Sequence, residues 1–168
     1  MTIREMSQIA ILATLLFIIY SFGSQLPGVE LFNFTVLLYG VTLPKKQSFI
    51  VVVIFSCLLI LMYGIQPWTL MYLIIFPAYT QIYYYVGKLI KSEFKLAMVG
   101  GVLAFLCGTL IDLPYILMSG MASKSLIFYL IAGFKVSLGN LLSTFLATLY
   151  LYQPLSKHLK RLLKQAVH

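Results

Sequence analysis

Charged residues are scarce in this sequence, and their scarcity excludes most soluble folds. Of the 168 residues, 10% are charged and 61% are hydrophobic, whereas a typical soluble domain carries about 25% charged residues. Only four residues are acidic, against twelve Lys and Arg, which gives a formal net charge of +8. We therefore expect most of the surface to face lipid, as it does in an integral membrane protein.

Side chains that carry most enzymatic chemistry are also rare. The two cysteines, Cys57 and Cys107, each lie within an apolar run, where a free thiol behaves as a small hydrophobe. The two histidines, His158 and His168, lie near the end of the sequence. There is no P-loop, no metal-ligand cluster and no Ser/His/Asp set. The sequence thus predicts no metal, no cofactor and no ATPase or other enzymatic activity of its own.

The excess of basic residues lies between apolar runs rather than in a stripe on one polar face. A protein that binds nucleic acid gathers its Lys and Arg on a water-exposed surface, so we expect no nucleic-acid partner. Basic loops between apolar runs are typical of membrane topology, with a contribution from anionic lipid head groups.

Six apolar runs approach or exceed the roughly 20 residues that a transmembrane helix needs. Polar or proline-containing stretches separate them. The predicted helices cover residues 6–22, 29–43, 48–65, 69–90, 96–118 and 126–152. The predicted fold class is an all-α integral membrane protein of six transmembrane helices, in a single domain of residues 1–168.

The basic residues also predict the orientation. Nine of the twelve fall at the start of the chain, in the second and fourth loops or in the tail, whereas the fifth loop has only Lys124 and the first and third have none. Since basic loops stay in the cytoplasm, we expect both termini inside. The tail of residues 154–168 is amphipathic and is predicted to lie along the cytoplasmic membrane surface.

Two ionisable residues lie at membrane depth within the predicted helices. Asp112 falls about 10 Å below the outer end of helix five and Lys135 about 15 Å below that of helix six, at 1.5 Å per residue. Such residues cost several kcal/mol in lipid and usually face a cavity or a partner. A lysine stem can extend several ångströms, so the two could meet. They either bind a ligand or form a pair that only fixes helix packing.

Four more residues are candidates for a ligand site or for packing. Pro114 leaves a backbone carbonyl without its helical donor close to Asp112. Trp68 and Tyr72 open helix four, where they either stack on a flat ring ligand or belong to the aromatic belt of the membrane. The amide of Asn140 needs a partner away from lipid, which a ligand or a closely packed helix would provide.

Short motifs carry a resemblance to a known family. They are Ala10-Ile11-Leu12-Ala13-Thr14 in helix one, Leu26-Pro27-Gly28-Val29-Glu30-Leu31, the tryptophan-containing turn from Gly64 to Tyr72, Asp112-Leu113-Pro114-Tyr115 and Gly139-Asn140. With six short helices and cytoplasmic termini, the chain resembles the substrate-binding S component of an energy-coupling factor (ECF) vitamin transporter along nearly its whole length. In that family a small-xxx-small motif of helix one docks on the transmembrane coupling subunit. Ala10, Ala13 and Thr14 would take that role, with Thr14 in place of the usual second alanine.

The resemblance implies an importer subunit in the plasma membrane of a bacterium. The chain would capture a vitamin or precursor outside, either B6-like or hydroxymethylpyrimidine-like or cobalamin, and topple against the coupling subunit to release it inside, while two ATPase subunits supply the energy. We expect the pocket between the outer halves of helices four, five and six, roofed by the first, third and fifth loops. Its residues would be Trp68, Tyr72, Asp112, Tyr115, Lys135 and Asn140. The alternatives are a structural membrane subunit without a small-molecule ligand and, third, a membrane enzyme.

Overall fold

The computed structural model describes residues 1–23, 31–118 and 123–165, and those residues form helices and short connections without a strand. The helices are α1 (Ile3–Gly23), α2 (Leu31–Thr42), α3 (Lys45–Tyr63), α4 (Pro67–Leu89), α5 (Glu93–Met118) and α6 (Ser123–Gln165). The prediction of an all-α fold with six helices is therefore confirmed. The first and fifth loops, which were predicted to roof a pocket, lie largely outside the described residues, and so does most of the motif of residues 26–31.

Local sequence signals explain several helix ends. Thr2 and Glu5 form a reciprocal capping box at the start of α1: the Thr2 backbone N–H donates to the Glu5 carboxylate at 2.9 Å, and the Glu5 N–H donates to Thr2 Oγ1 at 3.2 Å. Gly64 caps α3 after Tyr63, and its φ of +80° suits a residue without a Cβ. α4 then begins at Pro67, a residue favoured in the first helical turn because its missing N–H needs no partner there.

The short helix α2 is the centre of the bundle. It packs against all five other helices, and every residue from Phe32 to Gly40 is buried. A Cβ added at Gly40 would lie 2.7 Å from Tyr83 Cβ and 2.9 Å from the Thr80 carbonyl oxygen, so only glycine allows α2 and α4 to approach this closely. With 12 residues, α2 is about 18 Å long, which is shorter than a bilayer core of about 30 Å.

Four helices are long and apolar enough to cross a membrane: α1, α3, α5 and the part of α6 from Leu126 to Leu163. Tyrosines, together with Gln81 and Lys88, lower the mean hydropathy of α4, although its 23 residues exceed the length of a span. The described residues are thus compatible with a membrane protein, by length and composition.

The last helix extends beyond its predicted end. The sequence predicts an end at residue 152 and a separate tail, whereas α6 continues through Pro154 to Gln165. Proline removes only one backbone hydrogen bond, and the residues behind it are held by packing: Ser156 is buried, and Leu159 and Leu163 pack on the core. Of the predicted tail, residues 166–168 lie outside the described residues.

Most of the basic residues gather at one end of the bundle, termed the basic end. Ten of the twelve Lys and Arg lie at the start of α1, in or beside the α2–α3 and α4–α5 connections, or in the last turns of α6. Contacts join these segments: Lys45 Nζ donates to Tyr85 Oη at 2.7 Å, and one cavity is lined by Arg4, Pro44 and Leu163 together. The other end, where α1, α3 and α5 finish, is termed the far end.

Candidate functional site

A cavity of about 250 Å³ opens between α5 and α6 toward the far end. Its lining residues are Phe105, Thr109, Asp112, Ile116, Leu130, Gly133, Phe134 and Ser137. Asp112 is half-buried and is the one charged side chain among them. The cavity therefore combines an apolar wall with a carboxylate and two hydroxyl groups, which is the usual make-up of a small-molecule site.

The shape of the cavity follows from small residues on the two helices. A Cβ at Gly108 would lie 2.8 Å from Ser137 Oγ, so α5 and α6 approach closely where the buried serine hydroxyl faces the glycine. One turn nearer the far end, a Cβ at Gly133 would meet no atom of the described residues within 4 Å. The rings of Phe105 and Phe134 meet edge to face across the two helices, with centroids 5.6 Å apart. α5 and α6 thus approach closely at Gly108 and leave open space around Gly133.

Asp112 lies beside an interruption of the helical hydrogen bonding. Pro114 lies inside α5, and because it has no N–H, the carbonyl oxygen of Leu110 lacks its helical donor. Non-helical or unsatisfied backbone at membrane depth is tolerated where it adjoins protein or a cavity. The Leu110 carbonyl and the Asp112 carboxylate thus lie within one turn of α5, and of the two residues only Asp112 lines the cavity.

Tyr115 lies on another side of α5 and lines a second cavity. This cavity of about 260 Å³ is bounded by Gln66, Pro67, Tyr115 and Met118, where the α3–α4 turn meets the end of α5. Tyr115 is exposed. Asp112 and Tyr115 were predicted in one pocket, and the structure places them in two cavities that share α5 as a wall.

Trp68 and Tyr72 belong to an aromatic cluster rather than to either cavity lining. Both are half-buried and pack edge to face at 5.7 Å between ring centroids. Tyr72 also contacts Phe76 at 4.8 Å and Tyr20 at 5.7 Å. The cluster further contains Phe32 and Phe55, whose centroids are 4.8 Å apart. These rings pack α1, α2, α3 and α4 together.

Lys135 and Asn140 lie on different sides of α6. Lys135 is exposed and does not line the α5–α6 cavity, and no ion pair joins it to Asp112 in the part of the chain that the structure describes. Asn140 is buried at 6% exposure, near buried Ser137 and Thr144 on the packing face. Asp112 is thus the only predicted ligand residue on the α5–α6 cavity wall, and the role of the others stays a prediction.

The remaining lining residues were missed by sequence reasoning, although a signal was present. Phe105, Thr109, Asp112 and Ile116 follow one another at spacings of four, three and four residues, so they share one face of α5. Leu130, Gly133, Phe134 and Ser137 have the same kind of spacing on α6. A search for the residues that share a face with Asp112 would have found Thr109.

The three residues predicted for partner docking do not share a surface. Ala10 and Thr14 are exposed on one side of α1, where Thr14 Oγ1 donates to the Ala10 carbonyl at 2.9 Å. Ala13 has 0% exposure and packs in the core. The exposed small pair is thus Ala10 and Thr14, and Ala13 contributes to the packing of α1 on its neighbours.

No group of three or more His, Cys, Asp or Glu side chains that could hold a metal ion occurs within residues 1–23, 31–118 and 123–165. Comparisons with protein-family models, with curated proteins and with solved structures found no match. The function of this chain is therefore inferred from its own residues.

Proposed function

We propose that this chain is a multi-pass membrane protein that captures a small organic solute in the α5–α6 cavity. The observation that carries the proposal is a half-buried carboxylate, Asp112, on the wall of a cavity of about 250 Å³ inside an apolar helix. A carboxylate in lipid costs several kcal/mol, and such residues usually mark a site for a ligand, an ion or a proton.

The size of the cavity supports a single-ring solute. Drug-sized ligands occupy clefts of about 300–1,000 Å³, so 250 Å³ is small. A pyridine or pyrimidine ring with short substituents fits this volume, whereas a corrinoid such as cobalamin is far larger. Of the vitamins that the resemblance implies, B6-like and hydroxymethylpyrimidine-like compounds are therefore favoured.

The edges of Phe105 and Phe134 would hold the ring of the solute, and Asp112 would accept hydrogen bonds from its amino or hydroxyl groups. Thr109 and Ser137 offer two hydroxyls at the same cavity. Such bonds select for the matching solute, because an analogue without the donor would leave the half-buried Asp112 carboxylate without that hydrogen bond.

The transport role follows the resemblance to the S component of an ECF importer. All six helices, α2 and α4 included, would lie in the cell membrane with the basic end in the cytoplasm, where basic loops are retained. The exposed side of α1 with Ala10 and Thr14 would dock on a transmembrane coupling subunit. Two ATPase subunits would supply the energy, and this chain would hydrolyse nothing.

Thermal unfolding of the detergent-solubilised chain tests the proposal. Pyridoxine, hydroxymethylpyrimidine, pantothenate and cobalamin would each be added in excess, because a ligand at 100 times its Kd stabilises a protein by about 2.7 kcal/mol. We expect a large upward shift of Tm with one single-ring compound. If no compound shifts Tm, the alternative of a structural membrane subunit without a small-molecule ligand replaces the proposal.

A further inference from the structure

Two adjoining cavities at the basic end are separate from the α5–α6 site. The larger, of about 440 Å³, is lined by Thr2, Arg4, Glu5, Gln8, Pro44, Gln47 and Leu163. The smaller, of about 120 Å³, is lined by Met1, Glu5, Ile9, Pro44, Lys46, Gln47 and Ile50. They share Glu5, Pro44 and Gln47, so together they form one groove, termed the basic-end groove, between α1, the α2–α3 connection and the end of α6.

The groove contains an unused hydrogen-bond donor. Gln47 Nε2 is buried and has no hydrogen-bond partner among the described residues. A buried amide N–H without an acceptor is destabilising, so an acceptor supplied by a ligand would be favourable at this place. α3 begins beside it at Lys45, with Pro44 at the N-cap and no side chain capping the helix, and a helix N-terminus favours negative charge.

The charge around the groove also favours an anion. Arg4 lines the larger cavity and Lys46 the smaller, and ten of the twelve Lys and Arg of the chain lie at this end, against two carboxylates, Glu5 and Glu93. The Glu5 carboxylate accepts the Thr2 N–H at 2.9 Å, so part of its charge acts on the α1 terminus. The potential in the groove should therefore be positive.

The other wall of the groove is apolar. Ile9 and Ile50 line the smaller cavity, and Leu163 lines the larger. Ile9 is a core residue of α1, which is one of the four helices long and apolar enough to cross a membrane. The groove thus has a cationic rim and an apolar wall, in which Ile9 is buried at 3% exposure and Ile50 and Leu163 are partly exposed. A ligand that fits both parts is an anion with hydrocarbon chains attached.

We propose that the basic-end groove binds the phosphate head group of an anionic phospholipid. The phosphate accepts hydrogen bonds from Gln47 Nε2 and from the side chains of Arg4 and Lys46, and the acyl chains extend past the partly exposed Ile50. Arginine and lysine close to a membrane surface attract anionic lipids. The hydrogen-bond donor at Gln47 would hold the phosphate at one defined position in the groove. This inference uses the membrane-compatible helices and is independent of solute binding at Asp112.

Native mass spectrometry of the detergent-solubilised full chain provides the test. Phosphatidylglycerol, phosphatidylcholine and glycerol 3-phosphate would be titrated separately, so that an anionic lipid is distinguished from a neutral lipid and from a free phosphate. We expect one phosphatidylglycerol to bind at least about tenfold more tightly than phosphatidylcholine, because its net negative charge is attracted by Arg4 and Lys46, whereas the choline cation neutralises the phosphate of phosphatidylcholine. Glycerol 3-phosphate should bind much more weakly, because it lacks the acyl chains.

Four variants locate the bound lipid. Arg4→Gln and Gln47→Leu should each weaken phosphatidylglycerol binding about tenfold. Lys88→Gln is the matched control: Lys88 lies at the same end but outside the groove lining, with its ammonium 4.3 Å from the Tyr84 ring, so binding should stay within about twofold. Glu5→Gln keeps the capping pattern, since glutamine also serves at this position, and should strengthen binding because it removes a negative charge from the groove.

Three results would overturn the proposal. Equal binding of phosphatidylcholine would remove head-group selectivity, and equal losses in the Arg4 and Lys88 variants would indicate diffuse attraction instead of a site. Binding of glycerol 3-phosphate as tight as that of phosphatidylglycerol would identify a soluble anion as the ligand. Unfolding temperatures measured without lipid check that each variant is folded. If Gln47→Leu does not fold, Arg4→Gln, at an exposed position, still tests the site.

Discussion

Gly108 of α5 faces Ser137 of α6 so closely that a Cβ on the glycine would lie 2.8 Å from the serine Oγ. This contact brings the two helices together at the base of the α5–α6 cavity. The space around Gly133, one turn nearer the far end, is open among the described residues. A single pair of small residues thus separates the packed part of the two helices from the part that can hold a solute.

Replacing Gly108 with leucine should force α5 and α6 apart. Inserting methylene groups into a well-packed interface costs about 1–3 kcal/mol, so the free energy of unfolding should fall by that amount in a detergent unfolding titration. Gly133→Ala is the matched control: it adds a methyl group into open space, and alanine favours a helix over glycine by up to about 1 kcal/mol. Equal destabilisation by both changes would contradict the tight contact at Gly108.

Cysteine labelling on intact cells tests the orientation. In a Cys57→Ser background, where the remaining Cys107 is buried, single cysteines would replace Lys46 at the basic end or Met118 at the far end, both exposed. If the basic end is cytoplasmic, a membrane-impermeant maleimide labels Met118→Cys at once and Lys46→Cys only after permeabilisation. The reverse pattern would place the cavity on the cytoplasmic side and exclude capture from outside.

Ala10→Phe tests the docking side of α1. Ala10 is exposed, so a bulky ring there should leave solute affinity and stability unchanged and abolish most of the uptake in cells that contain the partner subunits. Ile11→Phe is a control at another exposed position about 100° around the helix, and it should keep uptake. Loss of uptake in both variants, or in neither, would argue against docking through Ala10 and Thr14.

Ala13→Phe is expected to act differently from Ala10→Phe. Ala13 has 0% exposure and packs in the core, so the larger side chain should destabilise the chain by about 1–3 kcal/mol or more. The loss would appear in the unfolding titration of the isolated chain, without any partner present. An Ala13→Phe variant as stable as the wild type would contradict the packing of α1.

Lys135→Met decides between the interpretation of the sequence and the geometry of the structure. The sequence predicts that Lys135 binds the solute, and its loss would then weaken binding strongly. Because the structure places Lys135 outside the cavity lining, we expect Kd to change by no more than about twofold, or about 0.4 kcal/mol. A Kd weaker by about tenfold or more would indicate that Lys135 binds the solute.

The lengths of the apolar runs predicted most of the helices. They do not predict how each helix is rotated about its own axis. Predicted helix 6–22 became Ile3–Gly23 and predicted helix 48–65 became Lys45–Tyr63, because burial in a bundle or in lipid demands long apolar segments. The predicted end of α6 at residue 152 was wrong, because the packing of Leu159 and Leu163 on the core continues the helix through Pro154.

The candidate site was predictable in part. Asp112 was found because a carboxylate in an apolar run is conspicuous. Its relation to Tyr115 and Lys135 depends on how α5 and α6 rotate against their neighbours. That rotation is determined by close approaches such as Gly108 against Ser137, which no property of either segment alone reveals.

The most direct test of solute capture is a calorimetric titration of the compound that raises Tm, with the wild-type chain and Asp112→Asn. The amide keeps the shape of the carboxylate and removes its charge, so the fold should persist. We predict binding of one molecule per chain, with a Kd at least about tenfold weaker in the variant, as expected when a hydrogen bond to a charged group is lost. Equal affinity in both proteins would contradict the account, because Asp112 would then have no part in holding the solute.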